Sequence, residues 1–467
     1  MEQTMDWGIW SLIPLAVALI IAFTTKSAAF ALLAGVVVGV VMLGTNPAQG
    51  TSQLFQTTLG NGDFIKITLI ICLIGMLFSL LKRSGAIALF ANRLARKGQS
   101  QRRTAVTTWG MGFFILDDYF SPLMTGAVMR PLTDKANIPR EKLAFILDST
   151  TASVCILVPF TAWAAYIVAL IIAQGGPVES TAEAMDIYIN AIPYNFYPIL
   201  LVLFTLLICL KLLPDFGPMK KAEHRAKTTG ALLREGATPL IDTEGEQIVS
   251  APQGNASLLW HLLVPVLLLF GTAIISYVWV QKIYIVEAFM LAVSYLAISL
   301  FVTKHIQSID QLVHICTEGI KAVIPAILII ALAYSINAVT KSLGAADYVI
   351  AVTSDFMTPG FLVALTFLIT AFISFCTGTS WGSYALMIPI ALPLAYSFSG
   401  NDVTPLVYQT VAAVAGGGIF GDHASPVSDT SVLSSAGAGS DHMDHVITQL
   451  PYALLIALLT SLLYLAI

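Results

Sequence analysis

Long apolar runs, separated by short polar stretches, recur along the whole length of the chain. A helix needs about 20 mostly apolar residues to cross the hydrocarbon core of a membrane. Ten runs are candidates for such helices, although the first of them is short. They are Ile9–Phe23, Ala28–Gly44, Phe64–Leu81, Leu143–Ala173, Phe196–Leu213, Leu258–Trp279, Ile283–Val302, Ala322–Val339, Pro405–Ile419 and Val446–Ala466. This pattern predicts an all-α polytopic membrane protein.

The composition agrees with that prediction. Hydrophobic residues make up 57% of the 467 residues and charged residues only 11%, whereas a soluble domain has about 25% charged residues. So few charges cannot cover a water-soluble surface of this size. Disordered chains, disulfide-rich scaffolds and nucleic-acid-binding proteins are therefore excluded as classes. We expect the lipid bilayer, and no nucleic acid, as a partner.

The basic residues predict an orientation, because Lys and Arg accumulate in cytoplasmic loops. Residues 82–103 carry seven of them and no acidic residue, residues 130–142 carry four and residues 214–257 carry five. By contrast, residues 174–195 are acidic and contain no Lys or Arg. Placing the basic segments inside puts the N-terminus outside. Residues 214–257 then form a cytoplasmic linker, for which we expect no core of its own.

The two halves of the chain resemble each other. IICLIGMLFSLLKRSGA at Ile70–Ala86 aligns with IIALAYSINAVTKSLGA at Ile329–Ala345 at an offset of 259 residues. The same offset aligns FFILDDYFS at Phe113–Ser121 with FISFCTGTS at Phe372–Ser380. We therefore predict two transmembrane repeats, residues 1–213 and 258–467. Five spans in each repeat would give them inverted topologies, which is typical of secondary transporters.

Each half also contains a segment that fits neither a span nor a loop. Residues 104–131 and 361–393 are apolar but have a polar interruption, and we predict that each forms a re-entrant hairpin. Two further interruptions, at residues 148–153 and 416–431, predict helices that unwind and restart. Irregular backbone at membrane depth is tolerated only where it is buried in protein or lines a wet cavity. These four segments therefore predict a central binding site.

Carboxylates and hydroxyls at these interruptions are the candidate ligands. A charged residue at the middle of the membrane costs at least about 2.5–3.5 kcal/mol on insertion scales, and oxygen ligands suit hard cations such as Na⁺. We predict Asp148, Asp422, Thr379 and Ser380 as Na⁺ ligands, while Asp429 is equally explained as a helix cap. The full candidate ion- and substrate-binding set is Asp117, Asp118, Ser121, Asp148, Ser149, Thr150, Thr377, Gly378, Thr379, Ser380, Asp422, His423, Ser425 and Asp429.

Three histidines near these residues have alternative interpretations. His423 either relays protons or is hydrogen-bonded within the interrupted segment. His442 and His445, together with Asp441 and Asp444, have the composition of a metal site. We favour a solvated cytoplasmic interface for these four residues.

Three segments resemble the NhaC-type Na⁺/H⁺ antiporters. They are GTSWGSYALMIPIALPLA at Gly378–Ala395, GGGIFGDHASPVSDTS at Gly416–Ser431 and MRPLTDKANIPREKLAFILDST at Met129–Thr150. The resemblance covers nearly the whole chain and implies a fold with two re-entrant hairpins and two broken helices. The chain departs from the family after Asp117, Asp118 and Tyr119, where Phe-Ser-Pro stands in place of Ala-Asn-Thr.

We therefore expect a secondary active transporter of the bacterial inner membrane, a Na⁺/H⁺ antiporter that works by alternating access. The alternative is a Na⁺- or H⁺-coupled transporter or exchanger of a small organic acid or amino acid. The sequence contains neither a nucleophile–base pair nor a metal-ligand spacing that would indicate an enzyme. We expect no cofactor besides the transported Na⁺ and H⁺. The sequence leaves open the solute, the stoichiometry, the titrating Asp and whether the chain forms a homodimer.

Overall fold

The computed structural model describes most of the chain. The described residues are 7–25, 27–86, 89, 100–113, 116, 118, 120–239, 256–280, 284–353, 358–426 and 428–467. Over these ranges the chain folds into helices and forms no β-sheet. The predicted all-α class is confirmed.

The described helices are numbered here along the chain. In chain order they are α1 (Ile13–Thr25), α2 (Ala28–Met42), α3 (Pro47–Leu59), α4 (Gly62–Arg83), α5 (Gln101–Met111), α6 (Phe120–Lys135), α7 (Arg140–Ser149), α8 (Ala152–Cys155), α9 (Ala162–Gln174), α10 (Thr181–Ala191), α11 (Phe196–Cys209), α12 (Gly217–Thr229), α13 (Val264–Val280), α14 (Ile285–Val302), α15 (Ile309–Ser342), α16 (Ala345–Thr353), α17 (Pro359–Thr377), α18 (Ser380–Phe398), α19 (Pro405–Ala424), α20 (Asp429–Ala438) and α21 (His442–Ala466).

Several helices are long and apolar enough to cross a membrane. Within the described residues six helices meet this description, namely α4, α14, α15, α17, α18 and α21. Two bent pairs, α2 with α3 and α10 with α11, raise the number to eight if each pair is one span. The apolar helices Gly8–Ala22, Ala162–Gln174 and Leu259–Thr272 are shorter. The chain is therefore a multi-pass membrane protein, and the five-plus-five inverted arrangement stays a prediction.

The first interrupted segment breaks one apolar run into α7, α8 and α9. Hydroxyl groups compete there with the helical hydrogen bonds. Thr150 Oγ1 donates to the Ile146 carbonyl at 2.7 Å, and Thr151 Oγ1 donates to the Leu147 carbonyl at 2.6 Å. Thr161 then caps α9 by accepting a hydrogen bond from the main-chain N–H of Ala164. The chain thus restarts as a helix after the break.

The second break begins later than the sequence predicts. The predicted interruption starts at Gly416, but α19 continues to Ala424, and of the described residues only Ser425, Pro426 and Ser428 separate it from α20. The glycines serve close packing instead, because small residues let membrane helices approach each other. A Cβ at Gly417 would lie 2.7 Å from the Phe367 carbonyl oxygen of α17, and a Cβ at Gly421 would clash with the main chain of Ser374.

Helices α17 and α18 form a tight hairpin around Gly378. This residue has φ 72° and ends α17 in a left-handed conformation that glycine adopts at little cost. Each arm contains 19 residues, which is long enough for a span. The first predicted hairpin corresponds to α5 and α6, and several residues of its predicted tip lie outside the described ranges.

The linker contains a docked helix that the sequence did not indicate. Met219 and Ala226 of α12 are buried. Lys142 of α7 forms ion pairs with Asp215 at 2.8 Å and with Glu223 at 2.6 Å. The first part of the linker is therefore attached to the transmembrane helices by buried charges.

Candidate ion-binding site

Asp148, near the end of α7, is buried and held by three neutral donors. Its Oδ2 accepts hydrogen bonds from Ser431 Oγ at 2.9 Å and from Gln449 Nε2 at 3.0 Å. Its Oδ1 accepts a longer one from Ser434 Oγ at 3.4 Å. Helices α7, α20 and α21 therefore meet at this carboxylate.

Asp422, in the last turn of α19, is buried in a similar way. Its Oδ1 accepts hydrogen bonds from Ser428 Oγ at 2.8 Å and from Thr430 Oγ1 at 3.2 Å. Its Oδ2 accepts one from Ser380 Oγ at 3.3 Å, at the first residue of α18. The hairpin tip and the second helix break therefore meet at this carboxylate.

Two side chains join the carboxylates into one cluster. Ser431 Oγ, which contacts Asp148, also lies 3.2 Å from the main-chain oxygen of Asp422. Gln449 Nε2, which also contacts Asp148, donates to the main-chain oxygen of His423 at 2.5 Å. Both halves of the chain thus contribute to a single polar centre.

His423 is enclosed between two hydroxyl groups. Its Nε2 lies 3.1 Å from Ser149 Oγ and its Nδ1 lies 3.2 Å from Tyr197 Oη. A neutral imidazole donates from one ring nitrogen and accepts at the other, which these partners allow. Both partners lie outside the interrupted segment, and the proton relay stays a prediction.

His445 does not lie at the solvated interface that we expected. It is fully buried, and its Nε2 lies 3.7 Å from Asp148 Oδ2. Its Nδ1 lies 2.8 Å from Ser435 Oγ, which lies 3.0 Å from Nδ1 of the half-buried His442. The interface prediction is wrong for His445, because the α20–α21 packing turns it toward the carboxylate.

Within the described residues, neither carboxylate has a Lys or Arg partner. No Lys or Arg of the described ranges forms an ion pair with Asp148 or Asp422. An ionised carboxylate is very unfavourable in an apolar interior unless a cation compensates it. A further acceptor lies beside them, because the buried Gln449 Oε1 has no hydrogen-bond partner among the described residues. This oxygen-rich centre suits a proton or a hard metal cation.

The other predicted residues occupy the surrounding helix ends. Thr150 and Thr377 donate to carbonyls of their own helices, and Thr379 and Gly378 form the hairpin turn. Buried Ser121 makes no described hydrogen bond to either carboxylate. Four further residues are placed as follows: Ser425 is buried just after α19, Asp118 is half-buried before α6, Asp429 is exposed at the start of α20, and Asp117 lies outside the described residues.

The sequence interpretation missed several residues of the centre. They are Tyr197, Ser428, Thr430, Ser431, Ser434, His445 and Gln449. Two signals were available. Hydroxyl residues recur through SDTSVLSS at Ser428–Ser435, and Gln449 is an amide close to the start of the last apolar run.

Comparisons with known proteins place the chain among transporters. Across 493 aligned residues it is 28% identical to an uncharacterized Haemophilus influenzae protein, covering 98% of this chain and 91% of that protein. An uncharacterized Na⁺/H⁺ antiporter of the same organism is 37% identical over 90 residues, which are 19% of this chain and 18% of that protein. The malate-2H⁺/Na⁺-lactate antiporter of Bacillus subtilis is 32% identical over 114 residues, 24% of this chain and 22% of that protein.

The fold has a solved counterpart. The crystal structure of the Alcanivorax borkumensis YdaH transporter aligns with a TM-score of 0.55, covering 90% of this chain and 89% of that one. At 14% sequence identity the likeness concerns the fold alone.

Residues 154–467, about two thirds of the chain, match the model of the Na⁺/H⁺ antiporter family. The chain therefore belongs to the Na⁺/H⁺ antiporter family.

Proposed function

We propose that this protein exchanges Na⁺ for H⁺ across the bacterial inner membrane by alternating access. One observation carries the proposal. Asp148 and Asp422 are buried in one cluster, and neither has a Lys or Arg partner among the described residues. A cation must neutralise them, and the cation that is carried can do so.

Competition between the two cations supplies the coupling. A carboxylate oxygen that binds a proton is a poor Na⁺ ligand, so each cation weakens the binding of the other, and the effect is reciprocal. Oxygen atoms of Asp148, Asp422, Ser380 and Thr379 are the proposed Na⁺ ligands. We add Gln449 Oε1, because it is a buried acceptor without a hydrogen-bond partner among the described residues.

The same elements are the ones we propose to move. The α17–α18 hairpin contacts Asp422 through Ser380, and α20 contacts Asp148 through Ser431. A displacement of hairpin and broken helices against the other helices would change access to the carboxylates from one side to the other. In this scheme the protein carries no resident cofactor, performs no catalysis and functions as a monomer or a homodimer.

Proteoliposomes loaded with Na⁺ provide the test. With an outward Na⁺ gradient and no organic solute, we expect proton uptake into the vesicles, followed with a pH-sensitive dye. Asp148→Asn and Asp422→Asn keep the side-chain shape and remove the charge, so both should abolish this uptake. Glu318→Gln changes an exposed carboxylate that pairs only with Lys321 among the described residues, and it should leave uptake intact. Unchanged uptake in both Asn variants would refute the proposal.

A second candidate function is the exchange of an organic acid. It is favoured by the Bacillus subtilis relative, whose name includes malate and lactate, and by the Phe-Ser-Pro sequence after Tyr119. The same vesicles separate the two functions. If proton uptake into the vesicles begins only after a dicarboxylate or an amino acid is added, solute transport replaces Na⁺/H⁺ exchange as the proposed function.

A further inference from the structure

A cavity of about 300 Å³ lies away from the carboxylate cluster. It is bounded by the end of α9, the end of α15, the start of α16 and the second half of α18. Pro389 is its lining residue on α18 nearest to Ser380, nine residues further along that helix, which is about 13 Å at 1.5 Å per residue. The cavity is therefore separate from the proposed ion site.

Two glycines at the end of α9 bring the walls together. Gly175 and Gly176 have φ 68° and 70°, so the chain turns sharply there. A Cβ at Gly175 would lie 3.5 Å from Lys341 Nζ, and one at Gly176 would lie 3.1 Å from the ring of Tyr396 and 3.8 Å from Asn401 Oδ1. The ammonium group and the aromatic ring therefore flank the same turn.

The cavity carries one charge of each sign. Lys341, in the last turn of α15, and Asp347, in the first turn of α16, both line it. Neither forms an ion pair with another residue in the part of the chain that the structure describes. Both residues are exposed, so both charges are accessible to a ligand that enters the cavity.

The rest of the lining mixes polar and apolar side chains. Tyr396 forms part of the wall, while its hydroxyl group is buried and has no hydrogen-bond partner among the described residues. Leu12, Leu15 and Ile350 line another part of the wall. A volume of about 300 Å³ lies at the lower end of small-molecule sites and far exceeds a single ion.

We propose that this cavity is a binding site for a small zwitterion, an α-amino acid with an apolar side chain. Its carboxylate lies against Lys341, its ammonium group against Asp347, and its side chain against the leucines. A simple anion would pair with Lys341 alone and a simple cation with Asp347 alone, whereas a zwitterion pairs with both. The proposal goes beyond Na⁺/H⁺ exchange and does not depend on it.

The test is calorimetric binding to the purified full-length protein in detergent. L-leucine is the probe, and isovalerate and isoamylamine present its carboxylate and its amine alone. We expect leucine to bind and each single-charge analogue to bind at least tenfold more weakly. Lys341→Gln and Asp347→Asn should each weaken leucine binding at least tenfold. The matched controls Lys66→Gln and Asp310→Asn alter exposed charges outside the cavity and should leave it unchanged.

Three results would overturn the site: no leucine binding at millimolar concentration, equal binding of isovalerate, or leucine binding that both cavity variants retain. Size-exclusion profiles and thermal midpoints establish that each variant is folded. Na⁺-driven proton uptake measured on the same preparations reports separately on the proposed exchange, so a failure of one proposal is distinguishable from a failure of the other.

Discussion

Ser431 donates a hydrogen bond of 2.9 Å to Asp148, although 283 residues of chain separate them. The contact joins the helix break of the first half to the broken helix of the second half. A site built in this way exists only when both halves are folded against each other. Residues that hold this contact should therefore affect ion binding more than residues elsewhere on the same helices.

Gln449 is the sharpest test of that expectation. Gln449→Leu keeps the bulk, removes the 3.0 Å donor to Asp148 and removes the unpaired Oε1. Groups that orient a metal ligand typically contribute 10–100-fold to affinity. We expect the Na⁺ concentration for half-maximal exchange to rise about tenfold or more. The control Gln56→Leu changes an exposed amide of α3, and identical Na⁺ dependence in the two variants would contradict the assigned role.

A second prediction concerns the glycines of α19. A Cβ at Gly421 would meet the main chain of Ser374 and Phe375, which cannot move aside as a side chain can. Overpacking of this kind typically costs about 1–3 kcal/mol. Gly421→Ala should therefore lower the thermal midpoint in detergent by several degrees. Gly271→Ala is the matched control, since a Cβ there has no neighbour within 4 Å, and equal midpoints would argue against close α17–α19 packing.

The carboxylates of the site were predictable and their partners were not. Asp148 and Asp422 are conspicuous because a charge inside an apolar run is costly and therefore rare. Ser431 carries no such signal, because hydroxyls are common in membrane helices and donate to their own backbone. Its role depends on a contact across 283 residues, which local spacing does not encode.

One other sequence interpretation failed, and one helix was not predicted. The glycines after Ala415 predict an unwound segment, since glycine is a poor helix former, but close helix packing outweighs that preference here. Helix α12 contains no long apolar run that would have indicated it. Ion pairs attach it to the other helices instead. Its Glu223 pairs with Lys142, which lies 81 residues earlier in the chain.

That ion pair gives the stability a defined pH dependence. Burial raises the pKa of Glu223, but the Lys142 and Lys227 ammonium groups at 2.6 and 2.8 Å outweigh this effect and hold the pKa below its ordinary value. A lowered carboxyl pKa stabilises the folded protein at pH values above the ordinary pKa of the group. This stabilisation is lost as the pH falls through the lowered pKa. The thermal midpoint should therefore decline from about pH 5 downward.

Replacing the carboxylate isolates this contribution. Glu223→Gln should lower the midpoint at pH 7, because buried Lys142 loses one of its two partners. It should also flatten the decline between about pH 5 and pH 3, since the titrating group is gone. Glu235→Gln, an exposed carboxylate of the same linker, should follow the wild-type curve. A Glu223→Gln curve parallel to wild type would contradict the assignment.

The last prediction tests the orientation of the whole molecule. Most of the Lys and Arg residues lie in the segments that we place inside, and the docked helix α12 belongs to one of them. Exposed Lys220 lies on α12, whereas exposed Glu179 lies in the acidic segment that precedes α10. In a cysteine-free background, Lys220→Cys should react with a membrane-impermeant thiol reagent only in inverted membrane vesicles, and Glu179→Cys only in intact spheroplasts. Replacement of a charged exposed side chain by Cys at either position disturbs no buried contact, so the folded protein reports the side directly. The reverse labelling pattern would invert the orientation and with it the direction in which the α17–α18 hairpin opens, whereas labelling of both positions from one side would exclude the inverted repeat.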